Sequence, residues 1–451
     1  MLIPLTIDIN IVNGNLFLSG EFREGGISIE GERIIKIGKE PSLEKASLTI
    51  NANGALILPG LIDIHVHFRD LEQKYKETLE TGTRSAIAGG VTSVLDMPNN
   101  IPPTDSALRI NNKIKLIEEK AASNIGFYSL IPKDFTKIEE ISNTGIFGFK
   151  VYPVSELYPP KNDLQLEIIL KEITKRKLPL IVHLDNGYAG NNEKNLFDSE
   201  MPAIDAFLKA HNQLDEANAL DSFIKVCKKT NTQLHCAHVT AKETIEVLRK
   251  NSGSEILSSE ACPHHLVLDE NNLRKLGSQA KCLPPLRKIN DQKALWEALN
   301  ENTIKIISTD HAPHSYEEKH CEFKAAASGI HGLETLLPIM FTYAQKGMIS
   351  FESLIEKLTI NPANLMGIEK RGSLEIGNFA DIVVVKKEKL KINSEEFQSK
   401  AKWTPFNGFE VSYKPWKVLV NGFLAKDDEH IHTKARTGKI LKKKSNRLKL
   451  L

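Results

Sequence analysis

The chain has 451 residues, 41% of them hydrophobic and 26% charged, with a formal charge of +2. Near-neutrality argues against nucleic-acid binding by the surface as a whole, and the length suits a barrel with a smaller domain attached. No apolar run approaches the ~18 residues of a membrane helix, Met1–Asn15 lacks the basic start of a signal peptide, and five cysteines without a Cys-x-x-Cys pair fit a reducing cytoplasm.

In chain order, β-rich pieces at Ile7–Val12, Leu16–Leu18, Gly26–Glu30 and Arg33–Ile37 predict a small sheet. Next comes Pro59-Gly60-Leu61-Ile62-Asp63-Ile64-His65-Val66-His67-Phe68-Arg69. Strand alternation puts His65, His67 and Arg69 on one side for as long as the strand lasts. His-x-His alone reads equally as half a metal site or as two hydrogen-bonded histidines. Helical composition at Lys76–Ala88 stops at Gly89-Gly90, and Val91–Asp96 is the next strand. Strands recur at Ile125–Leu130, Phe147–Tyr152, Leu178–His183, Thr232–His238, Glu255–Ser259 and Thr303–Asp310. Helices between them are expected at Ser106–Ala121, Leu164–Lys175, Met201–Cys227, Ala241–Lys250 and Asp291–Leu299.

This alternation predicts an α/β fold, a (β/α)8 TIM-type barrel over residues 59–372 closed by helical residues 332–367. After Gly372 strand texture returns, at Ser373–Val385 and Trp416–Val420. Residues 1–58 and 373–430 are expected to form one small β-sandwich domain built from both chain ends. Residues 431–451 make a basic tail centred on Lys442-Lys443-Lys444, expected to be solvated.

Active sites of such barrels form at the C-terminal strand ends. There the sequence places His65 and His67 on strand one, Lys150 on strand four, His183 on five, His238 on six and Asp310 on eight. Imidazole and carboxylate suit zinc. A protonated lysine is no ligand; Lys150 would join such a site only as a carbamate formed with carbon dioxide, whose two oxygens could bridge a metal pair.

These residues lie in motifs that resemble the dihydroorotases of the amidohydrolase superfamily. The motifs are His65-Val66-His67-Phe68-Arg69-Asp70, Asp96-Met97-Pro98-Asn99-Asn100, Gly148-Phe149-Lys150-Val151-Tyr152 and Ala261-Cys262-Pro263-His264-His265-Leu266. Ser308-Thr309-Asp310-His311-Ala312-Pro313-His314 with Glu317-Glu318-Lys319, Gly332-Leu333-Glu334-Thr335 and Trp403-Thr404-Pro405-Phe406-Asn407-Gly408 follow in family order. The resemblance implies two Zn2+ per subunit. One would be held by His65, His67 and Asp310 and the other by His183 and His238, with carboxylated Lys150 and a hydroxide as bridges. It also implies the reversible cyclisation of N-carbamoyl-L-aspartate to L-dihydroorotate in pyrimidine biosynthesis, with Asp310 as the catalytic proton shuttle. Arg69, Asn99 and His314 would contact the substrate carboxylate, a task suited to the planar guanidinium fork. Asp63 would support the histidines from behind. The expected partner is a small-molecule substrate, without nucleic acid or membrane; a homodimer and association with aspartate transcarbamoylase are compatible with the resemblance.

The chain departs from the family pattern at several positions. Leu283 stands where many bacterial relatives have asparagine and the animal enzyme an arginine. Pro153–Leu157 is shorter than the animal-type catalytic loop. Ala237 replaces a cysteine of the animal form's third metal site, so two metals are expected although Glu260 remains. His331 occupies a position where proline is frequent. An allantoinase or hydantoinase would share the ligands without needing Arg69 and Asn99 for a carboxylate. A non-catalytic scaffold for aspartate transcarbamoylase would have lost ligands, and all six are present.

Overall fold

The computed structural model describes residues 7–153, 157, 160, 162–184, 188–432 and 437–444. The N-terminal part supplies β1 (Ile7–Leu18), β2 (Glu21–Glu30), β3 (Arg33–Gly38), β4 (Ala46–Asn51) and β5 (Leu56–Pro59). The barrel staves follow as β6 (Leu61–Val66), β7 (Val91–Asp96), β8 (Asn124–Phe127), β9 (Ser129–Leu130) and β10 (Phe149–Val151). They continue as β11 (Leu180–Val182), β12 (Leu234–Cys236), β13 (Leu257–Ala261) and β14 (Ile306–Ile307). The C-terminal part adds β15 (Ile382–Lys391), β16 (Glu410–Val420), β17 (Phe423–Asp427) and β18 (His430–Ile431).

Strands from both chain ends share one nine-stranded sheet, ordered β18-β17-β16-β15-β5-β1-β2-β3 with β4 beside β1. The ends meet where β5 pairs antiparallel with β15, Leu58 opposite Val383 and Ile57 opposite Val384. Strand alternation explains the apolar run Ile382-Val383-Val384-Val385. Ile382 and Val384 pack with Ile11, Ile27 and Ile57 in the small domain, while Val383 and Val385 join the core shared with the barrel helices. A strand buried on both faces has no polar side to show in its sequence.

The barrel staves are parallel and short, and β8 and β9 form one stave interrupted at Tyr128. The ring closes between first and last staves, where His67 N donates to His311 O at 2.8 Å and Val66 bridges His311. Ile62, Ile64, Leu95, Tyr128, Phe147 and Ile181 fill the barrel interior.

Several elements differ from the sequence reading in extent. The helix expected over Met201–Cys227 is two, Ala203–Ala210 and Gln213–Thr230. Asn212 separates them because its side chain accepts from Asp215 N at 3.1 Å and caps the second helix. The helical stretch 332–367 contains three helices, Leu336–Gln345, Phe351–Leu358 and Ile360–Met366. Over Thr437–Lys444 the basic tail lies against the barrel, with Lys439, Lys442 and Lys444 exposed to solvent. Leu441 is 4% exposed and joins the barrel-interior cluster, and its N–H donates to Ile125 O at 2.8 Å. Lys444 N donates to Gly367 O at 2.8 Å, just past the helix Ile360–Met366. The rest of the tail, apart from Ile431 and His432, lies outside the described residues. No described helix is long and apolar enough to cross a membrane.

Candidate active site

Simple alternation does not carry the β6 histidines. Ile62 and Ile64 pack inside the barrel, yet Val66 and Phe68 join the outer core with Leu79 and Ile87. The register therefore slips between Asp63 and Val66. Asp63 occupies the slip: its Oδ1 accepts from His65 N at 3.0 Å, offering that N–H a partner outside the ladder. The same carboxylate accepts from Thr309 N at 3.2 Å and from the Thr309 hydroxyl at 2.5 Å. One buried acid thus ties the first stave to the segment that carries Asp310.

The strand ends at Val66, and Arg69, Asp70 and Leu71 all have positive φ (55°, 46° and 52°). Arg69 reaches the site through this left-handed turn, which corrects the expectation from strand parity. The motif Asp96-Met97-Pro98-Asn99-Asn100 holds the turn in place. Asp96 Oδ1 accepts from Phe68 N at 2.8 Å, Asn99 Oδ1 lies 2.6 Å from His67 Nδ1, and Asn100 Nδ2 donates to Arg69 O. Asn99, expected on the substrate carboxylate, therefore commits its amide oxygen to His67.

His65, His67 and Asp310 each bring a ligand atom to within 4.8 Å of the others. Asp310 Oδ1 lies 3.3 Å from His65 Nε2 and 3.1 Å from His67 Nε2. Beside them His183 Nδ1 and His238 Nε2 converge to 2.9 Å, and the His238 ring centroid is 5.2 Å from that of His65. Lys150 is fully buried, and its Nζ has no hydrogen-bond partner among the described residues. Its charge acts on His65, His67, His238 and Asp310. All six expected residues are thus brought together. Two of them, His238 (φ 35°) and Asp310 (φ 47°), sit in the left-handed region, a strain of order 1–3 kcal/mol each that the surrounding fold must overcome.

Burial lowers the pKa of His65, His67 and His238, leaving the neutral imidazoles that bind metal. Burial also pulls the Lys150 ammonium down to about 8 and raises the Asp310 carboxyl. Burial works against an ionised Glu260, yet His65 and His235 hold its pKa well below the ordinary carboxylate range. Sequence reading passed over His235, whose one signal was its His-x-x-His spacing to His238.

A polar subsite adjoins this cluster. Arg69 Nη2 lies 3.2 Å from His314 Nε2, and Arg69 Nε donates to Pro313 O at 3.3 Å. Burial pulls His314 down to about 4. Lys76, which sequence reading did not single out, places its Nζ 3.3 Å from His314 Nδ1 and 2.8 Å from Glu318 Oε1. Leu283 lines a small cleft with His183, His211 and Arg287. His331 is buried behind the Asp310 segment, its ring stacked 4.6 Å from Phe397. Most of the loop Pro153–Leu157 lies outside the described residues.

The amidohydrolase family model matches residues 56–424. The chain belongs to the amidohydrolase family. This amidohydrolase is 31% identical over 446 residues to a dihydroorotase of Methanosarcina acetivorans, covering 96% of this chain and 95% of the relative. It is 33% identical over 446 residues to a dihydroorotase of Archaeoglobus fulgidus, covering 96% and 100%. Among solved structures it resembles the L-hydantoinase (dihydropyrimidinase) of Arthrobacter aurescens, with TM-score 0.92, 26% identity and coverage of 97% and 100%. The expected fold class holds: a (β/α)8 barrel with a β domain built from both chain ends. Amidohydrolases depend on metal, and His65, His67 and Asp310 form a candidate metal-binding group in this one.

Proposed function

We propose that this amidohydrolase is a dihydroorotase, catalysing the reversible cyclisation of N-carbamoyl-L-aspartate to L-dihydroorotate. The observation that carries this reading is the buried Arg69–His314 pair beside the His65–His67–Asp310 cluster. A guanidinium there suits a small cyclic amide that bears a carboxylate. Similarity to dihydroorotases over nearly the full chain supports the same reading, whereas hydantoin or allantoin would leave Arg69 without a carboxylate partner.

We infer that His65, His67 and Asp310 would hold one zinc and His183 and His238 a second, with carboxylated Lys150 as a further ligand. The unpartnered Lys150 Nζ and the neutral imidazoles support this donor set, since an amine near pKa 8 is partly unprotonated and free to react with carbon dioxide. Zinc held by these residues would supply a nucleophilic hydroxide at neutral pH and polarise the amide carbonyl. Arg69 and His314 hold the substrate carboxylate, and Asn99 donates to it through its amide NH2 while its oxygen fixes His67. In hydrolysis Asp310 takes the proton of the attacking hydroxide and delivers it to the ring nitrogen as the C–N bond breaks; cyclisation reverses both transfers. The five free cysteines support a cytoplasmic enzyme. A homodimer and an aspartate transcarbamoylase partner remain compatible with this reading.

Purified, zinc-loaded protein should interconvert N-carbamoyl-L-aspartate and L-dihydroorotate, and Asp310→Asn should abolish both directions while the fold persists. Hydrolysis of allantoin or hydantoins without turnover of dihydroorotate would overturn the substrate assignment. Near-wild-type rates in Asp310→Asn would overturn the proton-transfer role.

A further inference from the structure

One carboxylate contacts both halves of the candidate metal centre. Glu260, on β13 and 1% exposed, places Oε1 in hydrogen-bond contact with His65 Nδ1. The same Oε1 accepts from the backbone N–H of His238 at 3.3 Å. Its other oxygen, Oε2, lies 3.1 Å from His235 Nε2. His235 is fixed in turn by the Ser258 hydroxyl, 2.9 Å from its Nδ1. Register explains the arrangement: β12 and β13 pair with His235 opposite Ser258, and alternation puts Ser258 and Glu260 on one face.

We propose that Glu260 is a positioning residue that couples the two metal sites, with His235 as its brace. This rests on the ligand assignment above. By accepting a hydrogen bond from the Nδ1–H of His65, Glu260 leaves Nε2 unprotonated and facing Asp310, the side from which a metal would be bound. By holding the His238 N–H, it secures a ligand whose backbone sits at φ 35°, outside the region that residue would adopt unaided. His235 occupies the second carboxylate oxygen, so Glu260 cannot turn away from His65.

The test uses full-length protein and zinc, with affinity measured by competition against a chromogenic chelator. Thermal unfolding of the chelator-stripped proteins and the visible spectrum of the cobalt-substituted ones are recorded alongside. Wild type should bind two zinc ions. Glu260→Gln, close to isosteric, should weaken both sites by about 10–100-fold and alter the cobalt spectrum, while the stripped protein unfolds near the wild-type temperature. His235→Gln should weaken both sites in the same direction, and it serves as the test if Glu260→Gln does not fold. Weakening of one site alone would overturn the coupling. Unchanged zinc affinity with a lower unfolding temperature would reduce Glu260 to a packing role. Three zinc ions in wild type and two in Glu260→Gln would make Glu260 a ligand, and would also overturn the proposal. Wild type that binds no zinc would overturn the ligand assignment itself.

Discussion

Lys150 shows how burial makes chemistry available to a side chain. It sits on a three-residue stave between Phe149 and Val151, both in the outer core, so alternation turns it to the barrel interior, where it finds no hydrogen-bond partner among the described residues. Lys150→Ala should remove activity, with partial rescue by short carboxylic acids; activity that survives without rescue would rule out the carbamate. His314 makes a pH prediction. Burial pulls its pKa to about 4, below the ~6.5 of an unfolded histidine. As pH falls, the unfolded chain therefore binds this proton first. The stability contribution is complete above about 6.5 and lost as pH falls towards 4. In metal-stripped protein, His314→Gln should flatten the stability curve across that window, and an unchanged slope would contradict the assignment. The six clustered residues were legible in the sequence as candidates, because metal ligands need few residue types and strand ends have a readable rhythm, whereas Lys76 and His235 were not. The role of Asn99 towards His67 was not, since it depends on which ring nitrogen comes within 2.6 Å.

At the level of elements, the loops above the barrel are held by segments distant in sequence. Trp403 Nε1 donates to His314 O at 3.0 Å, and the Ser399 hydroxyl bonds Glu77 Oε2. The segment 399–403 therefore ties down both the loop that leads from Arg69 and the loop that carries His314. Trp403→Phe removes one hydrogen bond, worth about 1 kcal/mol, together with part of the buried ring over which Lys319 lies. Its KM for dihydroorotate should rise several-fold with a smaller change in kcat; an unaltered KM would show that this tie does not shape the subsite. Staves and helices were readable from composition and alternation, whereas the slip at Asp63–Val66 was not. Its cause is a side-chain hydrogen bond to the backbone two residues on, and nothing in the apolar pattern of Leu61–Val66 marks it.

For the whole molecule, the barrel is closed from below by the last described residues of the chain. Leu441 lies in the barrel-interior cluster with Ile62 and Ile64, so Leu441→Ala should destabilise the protein by about 2–5 kcal/mol. Denaturant unfolding would measure this, and zinc stoichiometry and KM should be unchanged; a loss below about 0.5 kcal/mol would mean that the segment lies loosely on the surface. The sequence by itself determined the fold class, the shared β domain and the six metal-site candidates, because strand–helix rhythm and ligand chemistry are local properties. Only the tertiary structure decided that Arg69 enters through a left-handed turn, that Glu260 touches both halves of the site, and that the basic tail is partly buried. Each of these depends on groups far apart in the chain meeting within a few ångströms, and that distance is not encoded in any one segment.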